Sequence, residues 1–108
     1  MLVSVILNCL NGEKFLRRSI ESVLNQTFDI FEIVFIDNGS SDLSGEIARE
    51  FGSIISYYRN ETTTTLGKAR DQGIMLAKGD LIAFIDADDK WKLNKIEKQI
   101  DLFKNGAS

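Results

Sequence analysis

Four short apolar runs alternate with longer segments of helical periodicity, and this alternation constrains the fold of the chain more than any other feature of its sequence. The runs cover residues 3–7, 33–36, 54–58 and 81–85 and are rich in β-branched residues. Runs this short and this continuously apolar are typical of strands buried on both faces of a parallel sheet.

The segments between the runs have apolar residues three, four and seven positions apart, which is the spacing of one helix face. Predicted helices begin at Glu13, Leu43, Leu66 and Leu93, and the last one is predicted to end at Asn105-Gly106. Strands that alternate with helices imply right-handed crossovers, so we predict an α/β fold in which a mostly parallel sheet carries helices on both faces. The segment between Arg59 and Thr65, with its four consecutive threonines, is predicted to be a loop.

Composition excludes several classes of function. The chain has 108 residues, enough for one domain, and 13 basic against 16 acidic residues give a net charge of −3. A nucleic-acid-binding surface needs a basic patch, and no basic run is present. The sequence has no histidine, which excludes Ser-His and Cys-His nucleophiles and histidine-based zinc sites.

The cellular compartment follows from cysteine content and hydropathy. Cys9 is the single cysteine, so no internal disulfide can form and a reducing compartment is predicted. No apolar run is as long as a membrane span and the amino terminus lacks a signal-peptide pattern, so a cytoplasmic location is expected.

Polar residues gather where three of the predicted strands end. In an open parallel sheet the ligand crevice lies at the carboxyl ends of the strands, near the switch in strand order. The residues concerned are Asn8, Asn11 and Gly12 after the first strand, Asp37, Asn38, Gly39 and Ser40 after the second, and Asp86, Asp88 and Asp89 after the fourth.

Three carboxylates within four residues, at the end of an apolar strand, repel one another unless a cation compensates their charge. Mg²⁺ and Mn²⁺ prefer carboxylate oxygens and take further ligands from substrate phosphates. Asp86 and Asp88 are therefore predicted to bind such a cation beside a diphosphate. The alternative is that the aspartates, Asp89 above all, cap the helix that follows.

Three further side chains have two interpretations each. Asp37 is placed to accept a hydrogen bond from a base or a ribose, or else to form a turn with Ser40 and Ser41. Lys68 and Arg70, in the first turns of the third helix, are candidates to pair with phosphate or with the aspartates, or else lie on a solvated helix face. Trp91 is predicted to pack in the core.

With these residues in view, the sequence resembles the family 2 glycosyltransferases, which have the Rossmann-like GT-A fold. Five ordered blocks carry the resemblance: residues 3–12, 22–28, 31–42, 67–74 and 79–91.

The resemblance implies that residues 1–108 are the amino-terminal, donor-binding domain of an enzyme that transfers a sugar from a nucleotide-diphosphate sugar, with inversion. By matched position Asp88 is the principal metal ligand, with Asp86 as its partner. The donor-binding residues that it implies are Asn8, Leu10, Asp37, Asn38, Arg70 and Asp86. It also implies Mn²⁺ or Mg²⁺ as cofactor, a UDP-sugar rather than a GDP-sugar as donor, and a glycan or lipid-linked acceptor.

Several positions depart from the family pattern. Asn8 and Leu10 stand where Pro and Tyr are common, so an aromatic edge of the base pocket is expected to be missing. Asn38 replaces a second Asp, Asp71 replaces an Asn, and Leu93 replaces a Pro. These changes leave the predicted fold intact and bear on donor specificity.

The family's acceptor-binding half and its catalytic-base carboxylate lie beyond the point at which the sequence stops. We therefore expect a truncated GT-A domain that is inactive alone, that pairs with another copy through its sheet edge, and that lies at the inner face of the membrane in a longer protein. One alternative is a nucleotide- and metal-binding fragment without catalysis. Another is a phosphotransferase that uses Asp86 as nucleophile and Asp88 as acid.

Overall fold

The computed structural model describes residues 1–104, and it contains four strands and four α-helices in strict alternation. Each predicted element is present, so the prediction of an α/β fold is confirmed. In chain order the elements are β1 (Val3–Cys9), α1 (Glu13–Leu24), β2 (Glu32–Asp37), α2 (Ser44–Arg49), a 3-10 turn (Gly52–Ile54), β3 (Ile55–Arg59), α3 (Leu66–Leu76), β4 (Leu81–Asp86) and α4 (Lys95–Lys104).

The four strands form one sheet in the order β3-β2-β1-β4, and all neighbouring pairs are parallel. The chain winds outward from β1 to β3 and then returns to place β4 on the other side of β1, so the strand order reverses beside β1. The register puts Asn8 opposite Asp86, and Cys9 opposite Asp37. Polar residues from three strands therefore reach the same edge of the sheet at the switch point.

Helices cover both faces of the sheet, as predicted. One face packs against α1, α2 and α4, and its buried helix residues are Leu16, Ile20, Val23, Ala48, Ile96 and Ile100. The other face packs against α3 through Ala69, next to Ile6, Val34 and Ile36 of the sheet. The buried apolar residues of every strand and helix thus contribute to one of two cores, which are separated by the sheet.

Some predicted boundaries are wrong by one or two residues. β1 continues through Asn8 and Cys9, two residues beyond the predicted strand, because its neighbours β2 and β4 supply hydrogen-bonding partners there. Conversely, α4 begins at Lys95, so Leu93 precedes the helix and is 62% exposed. Its predicted end at Asn105-Gly106 lies outside the described residues. Ile74 of α3 is 44% exposed, because this helix contacts the sheet through Ala69 and Gly73.

Trp91 is buried in the larger core, as predicted. In the part of the chain that the structure describes, no helix is long and apolar enough to cross a membrane.

Candidate functional site

A cleft of about 570 Å³ opens at the carboxyl edge of β1, β2 and β4. Of the residues predicted to bind the donor or the metal, five line it and two, Asp37 and Arg70, do not. The lining consists of Asn8, Cys9, Leu10, Asn11, Gly12, Lys14, Phe15, Asn38, Thr63, Thr64, Leu66, Asp86, Ala87 and Asp88.

The acidic segment forms a tight turn immediately after β4. The Ala87 N–H donates to the Asn8 carbonyl at 3.1 Å, and the Asp89 N–H donates to the Asp86 carbonyl at 3.0 Å. The next helix starts only at Lys95, so the alternative in which these aspartates cap it is wrong. The carboxylates of Asp86 and Asp88 instead line the cleft.

Helix α1 holds this turn from behind. The buried Ser19 hydroxyl lies within hydrogen-bonding distance of the Ala87 and Asp89 carbonyls, and the Arg18 guanidinium donates to the Asp88 carbonyl at 2.8 Å. Three consecutive carbonyls of the turn are therefore directed at α1. This fixes the backbone from which the Asp86 and Asp88 side chains extend.

The two aspartates suit a hard divalent cation that shares its coordination with a ligand. Among residues 1–104, no three carboxylate, thiolate or imidazole side chains converge. Mg²⁺ is commonly held by one or two carboxylates together with water and substrate phosphates, and Asp86 and Asp88 supply that number. Arg70 lies behind them, with its guanidinium 3.9 Å from a carboxylate oxygen of Asp86, whose side chain is 44% exposed.

Asn8, which lines the cleft, has a buried amide that nothing in the described chain satisfies. The residue is 7% exposed, and neither its Oδ1 nor its Nδ2 has a hydrogen-bond partner. Leaving a buried amide unpaired costs about 1–3 kcal/mol, so such groups are usually paired with water or ligand. A ligand with both a donor and an acceptor fits this position.

Asp37 is fully buried beneath the cleft rather than in its lining. It accepts hydrogen bonds from the Ser40 N–H at 2.8 Å, from the Tyr57 hydroxyl at 2.5 Å and from Arg59 at 3.1 Å. Burial acts to raise the pKa of Asp37, but the bonds from Tyr57 and Ser40 and the Arg59 charge outweigh it, and the pKa lies below the ordinary value. Its contact with Ser40 is the one that the turn interpretation predicts.

The threonine-rich loop, residues 60–65, forms one wall of the cleft through Thr63 and Thr64, and Asn38 fastens it. Asn38 Nδ2 donates to the Thr64 carbonyl at 2.8 Å, and its Oδ1 accepts from the Thr64 N–H at 3.0 Å. Gly39 has φ +94°, and a side chain there would crowd the Thr63 hydroxyl. The wall is thus attached to the end of β2.

The backbone N–H groups at the start of α1 are already engaged. Those of residues 11, 12 and 13 donate to three side chains from the segment after β2, at 2.9, 3.0 and 3.1 Å: Ser40, Ser44 and Asp42. In dinucleotide-binding folds this helix terminus holds the phosphates. Here the N–H groups of residues 11–13 already have partners.

Lys14, Phe15, Thr63 and Thr64 are among the lining residues that were not predicted to bind the donor. Phe15, 39% exposed, gives the cleft the aromatic wall that the sequence was expected to lack. Its position was detectable, because it lies outside the apolar face of α1 and in the first turn of that helix. The threonines had no such signal, since their contacts depend on a loop that folds back over β2.

Comparison with known proteins places the chain in a family. The model of glycosyl transferase family 2 matches residues 4–108. The putative glycosyltransferase EpsH of Bacillus subtilis is 38% identical over 89 residues, which are 81% of this chain and 26% of that protein. The Escherichia coli UDP-Glc:alpha-D-GlcNAc-diphosphoundecaprenol beta-1,3-glucosyltransferase WfgD is 39% identical over 109 residues, which are 99% of this chain and 43% of that protein.

Among solved structures, residues 1–349 of S. aureus TarS in complex with UDP-GlcNAc superpose with a TM-score of 0.89 at 25% identity, over 97% of this chain and 32% of that one. The chain therefore spans between about a quarter and less than half of the length of these relatives. The superposition confirms the predicted GT-A architecture.

Proposed function

The chain belongs to glycosyl transferase family 2, and we propose that it forms the donor-binding part of an enzyme that transfers a sugar from a nucleotide-diphosphate sugar to an acceptor. The observation that carries the proposal is the meeting of the Asp86 and Asp88 carboxylates with the unpartnered Asn8 amide in one cleft. These groups match the two ends of such a donor, a diphosphate and a nucleoside.

In the proposed complex Asp88 and Asp86 would hold Mn²⁺ or Mg²⁺. The cation, when bound, neutralises the charge that develops on the departing nucleoside diphosphate. Lys14 adds a positive charge in the lining, and Arg70 supports Asp86 from outside it. With the N–H groups of residues 11–13 engaged, these charges are what the chain offers to a diphosphate.

The nucleoside is proposed to lie toward the ends of β1 and β2. Asn8 and Asn38 supply amides there, Leu10 and Phe15 supply apolar surface, and Asp37 acts from below by holding the turn that carries Asn38. UDP is the proposed nucleotide, because TarS is solved with UDP-GlcNAc and WfgD is named for UDP-Glc. The diphosphoundecaprenol in the name of WfgD supports a lipid-linked or glycan acceptor.

Sugar transfer with inversion requires a base that takes the proton of the acceptor hydroxyl. Asp86 and Asp88 are the two carboxylates in the described lining, and both are assigned to the cation. We therefore place the base and the acceptor-binding part outside these 108 residues, and expect no transfer by this chain alone. In the alternative, the chain binds nucleotide and metal without contributing to catalysis. The phosphotransferase alternative gains no support from the family.

Titration of the purified chain with UDP, with and without Mn²⁺, tests the cation site. We expect Mn²⁺ to tighten the binding of UDP. In the presence of Mn²⁺, Asp88→Asn should bind UDP at least about tenfold more weakly than the original chain, because one of two ligand carboxylates is lost. Asp101→Asn, an exposed aspartate on α4, is the matched control and should leave binding unchanged. Binding that is independent of metal, or that is undiminished in Asp88→Asn, would contradict the proposed cation site.

A further inference from the structure

A second groove, of about 950 Å³, lies on the outer side of α1. One wall is formed by residues of α1 spaced three and four apart, and the other by the segment from Lys90 to Leu93. The lining residues are Lys14, Arg17, Arg18, Glu21, Ser22, Asn25, Lys90, Trp91, Lys92 and Leu93.

The groove is strongly basic in a chain that is acidic overall. Five of the lining residues are Lys or Arg and one is a carboxylate, Glu21, which gives a local formal charge of +4. The whole chain carries −3. The concentration of positive charge is therefore a property of this surface and not of the composition.

Most of these cations have no internal partner. Among the described residues, the side chains of Lys14, Lys90 and Lys92 have no carboxylate within 4.0 Å. Arg17 forms an exposed pair with Glu50 at 2.8 Å, and the Arg18 guanidinium donates to a backbone carbonyl. Exposed pairs contribute little to stability, so nearly the whole charge of the groove remains to attract an anionic partner.

The shape of the site favours an extended anionic surface over a single small anion. The basic side chains are exposed and spread along both walls. The buried polar atoms of the described residues that lack a hydrogen-bond partner all lie outside this groove. An apolar side chain, Leu93, is 62% exposed within the groove, and the Phe15 ring lies under the Arg18 guanidinium at 4.7 Å. Basic side chains interleaved with exposed apolar ones are typical of surfaces that bind membrane interfaces.

We propose that the groove between α1 and Lys90–Leu93 docks this protein onto the anionic headgroups of a membrane. Lys14 lines both this groove and the cleft, and the Arg18 side chain reaches the backbone of Asp88. Docking through this face would hold the cleft beside the headgroup layer. The inference goes beyond sugar transfer and stands on the charge distribution alone.

Sedimentation of the purified chain with vesicles tests the proposal, using phosphatidylcholine alone and phosphatidylcholine with about one third phosphatidylglycerol. We expect binding to the anionic vesicles only, weakened about 10- to 30-fold by the double substitution Lys90→Gln and Lys92→Gln, since each lysine near such a surface contributes to its attraction. The matched control is Lys78→Gln with Lys98→Gln, which removes two exposed lysines that lie outside the groove and the cleft. Unchanged thermal midpoints and UDP binding would show that each variant is folded.

Three results would overturn the proposal. One is equal binding to neutral and anionic vesicles, and another is an equal loss in the two double variants. The third is complete displacement from anionic vesicles by millimolar pyrophosphate at constant ionic strength, which would make the groove a site for a soluble phosphate compound. Loss of vesicle binding in molar salt, with UDP binding retained, is the result expected of electrostatic docking.

Discussion

Asn38 pairs with both backbone groups of Thr64, donating to its carbonyl at 2.8 Å and accepting from its N–H at 3.0 Å. This arrangement requires an amide. An aspartate at the same position could accept from the Thr64 N–H but would repel the Thr64 carbonyl. Asn38, one of the positions at which this chain departs from the family pattern, therefore allows a specific attachment of the 60–65 loop.

Asn38→Asp should loosen the loop while the fold is preserved. Losing one hydrogen bond of about 1 kcal/mol corresponds to a rise of about fivefold in local opening, measured as amide hydrogen exchange at Thr64. UDP affinity should fall by a similar factor, because Thr63 and Thr64 form a wall of the cleft. Asn94→Asp, whose amide makes no hydrogen bond in the described chain, is the control. Unchanged exchange at Thr64 would show that Asn38 does not hold the loop.

Asn8 lies in a strand where its amide is an energetic disadvantage in the free protein. Asn8→Val suits the strand and removes the unpartnered amide, so we expect the free energy of unfolding in urea to rise by about 1 kcal/mol. UDP affinity should fall by about tenfold if the amide bonds the nucleotide, as proposed. A variant that is both less stable and unimpaired in binding would contradict this assignment.

The fold could be predicted from the sequence because it depends on local patterns. Apolar runs predict the strands, and helical spacing predicts which faces of α1 and α4 are buried. The start of α4 was misplaced because Leu93 continues the apolar spacing of the helix, although the segment before Lys95 forms turns. An apolar residue that continues the spacing of a helix face does not show whether the backbone at that residue is helical.

The site was predictable only where a residue type and a strand end coincide, as at Asp86 and Asp88. What holds these residues is nonlocal. Ser19 reaches carbonyls 68 and 70 residues further along the chain, and bonds from a side chain to a distant backbone leave no periodic signal. The same limit applies to Asp37, whose partners Tyr57 and Arg59 come from a neighbouring strand.

Gly73 and Gly67 lie in the same helix and should respond to alanine in opposite ways. A Cβ at Gly73 would clash with the Ile6 side chain in the sheet, whereas a Cβ at Gly67 would meet nothing within 4 Å. Gly73→Ala should lower the free energy of unfolding by about 1–3 kcal/mol through overpacking. Gly67→Ala should raise it by up to about 1 kcal/mol, because alanine favours the helix. Urea titration checks both, and equal effects would show that α3 does not approach the sheet at Gly73.

The Tyr57–Asp37 hydrogen bond should make part of the stability of the fold dependent on acid pH. Burial raises the pKa of Asp37, but hydrogen bonds, led by the one from Tyr57, outweigh this effect. The pKa of Asp37 therefore lies below its ordinary value. A carboxyl with a lower pKa in the folded state contributes stability above its unfolded pKa, about 3.9, and loses it as the pH falls through the folded value. Tyr57→Phe removes the hydroxyl donor and so should cost about 1.5–3 kcal/mol near pH 7.

That cost should shrink as the pH falls through the folded pKa of Asp37, because the carboxylate that Tyr57 stabilises becomes protonated in both proteins. Urea unfolding of the original chain and of Tyr57→Phe, at neutral and at acid pH, measures the difference. The lowered pKa of Asp42 affects both proteins equally and cancels. Tyr58→Phe is the matched control, since no hydrogen bond of its hydroxyl is present in the described chain. A cost for Tyr57→Phe that is the same at both pH values would show that the hydroxyl contributes through packing and not through the charge of Asp37.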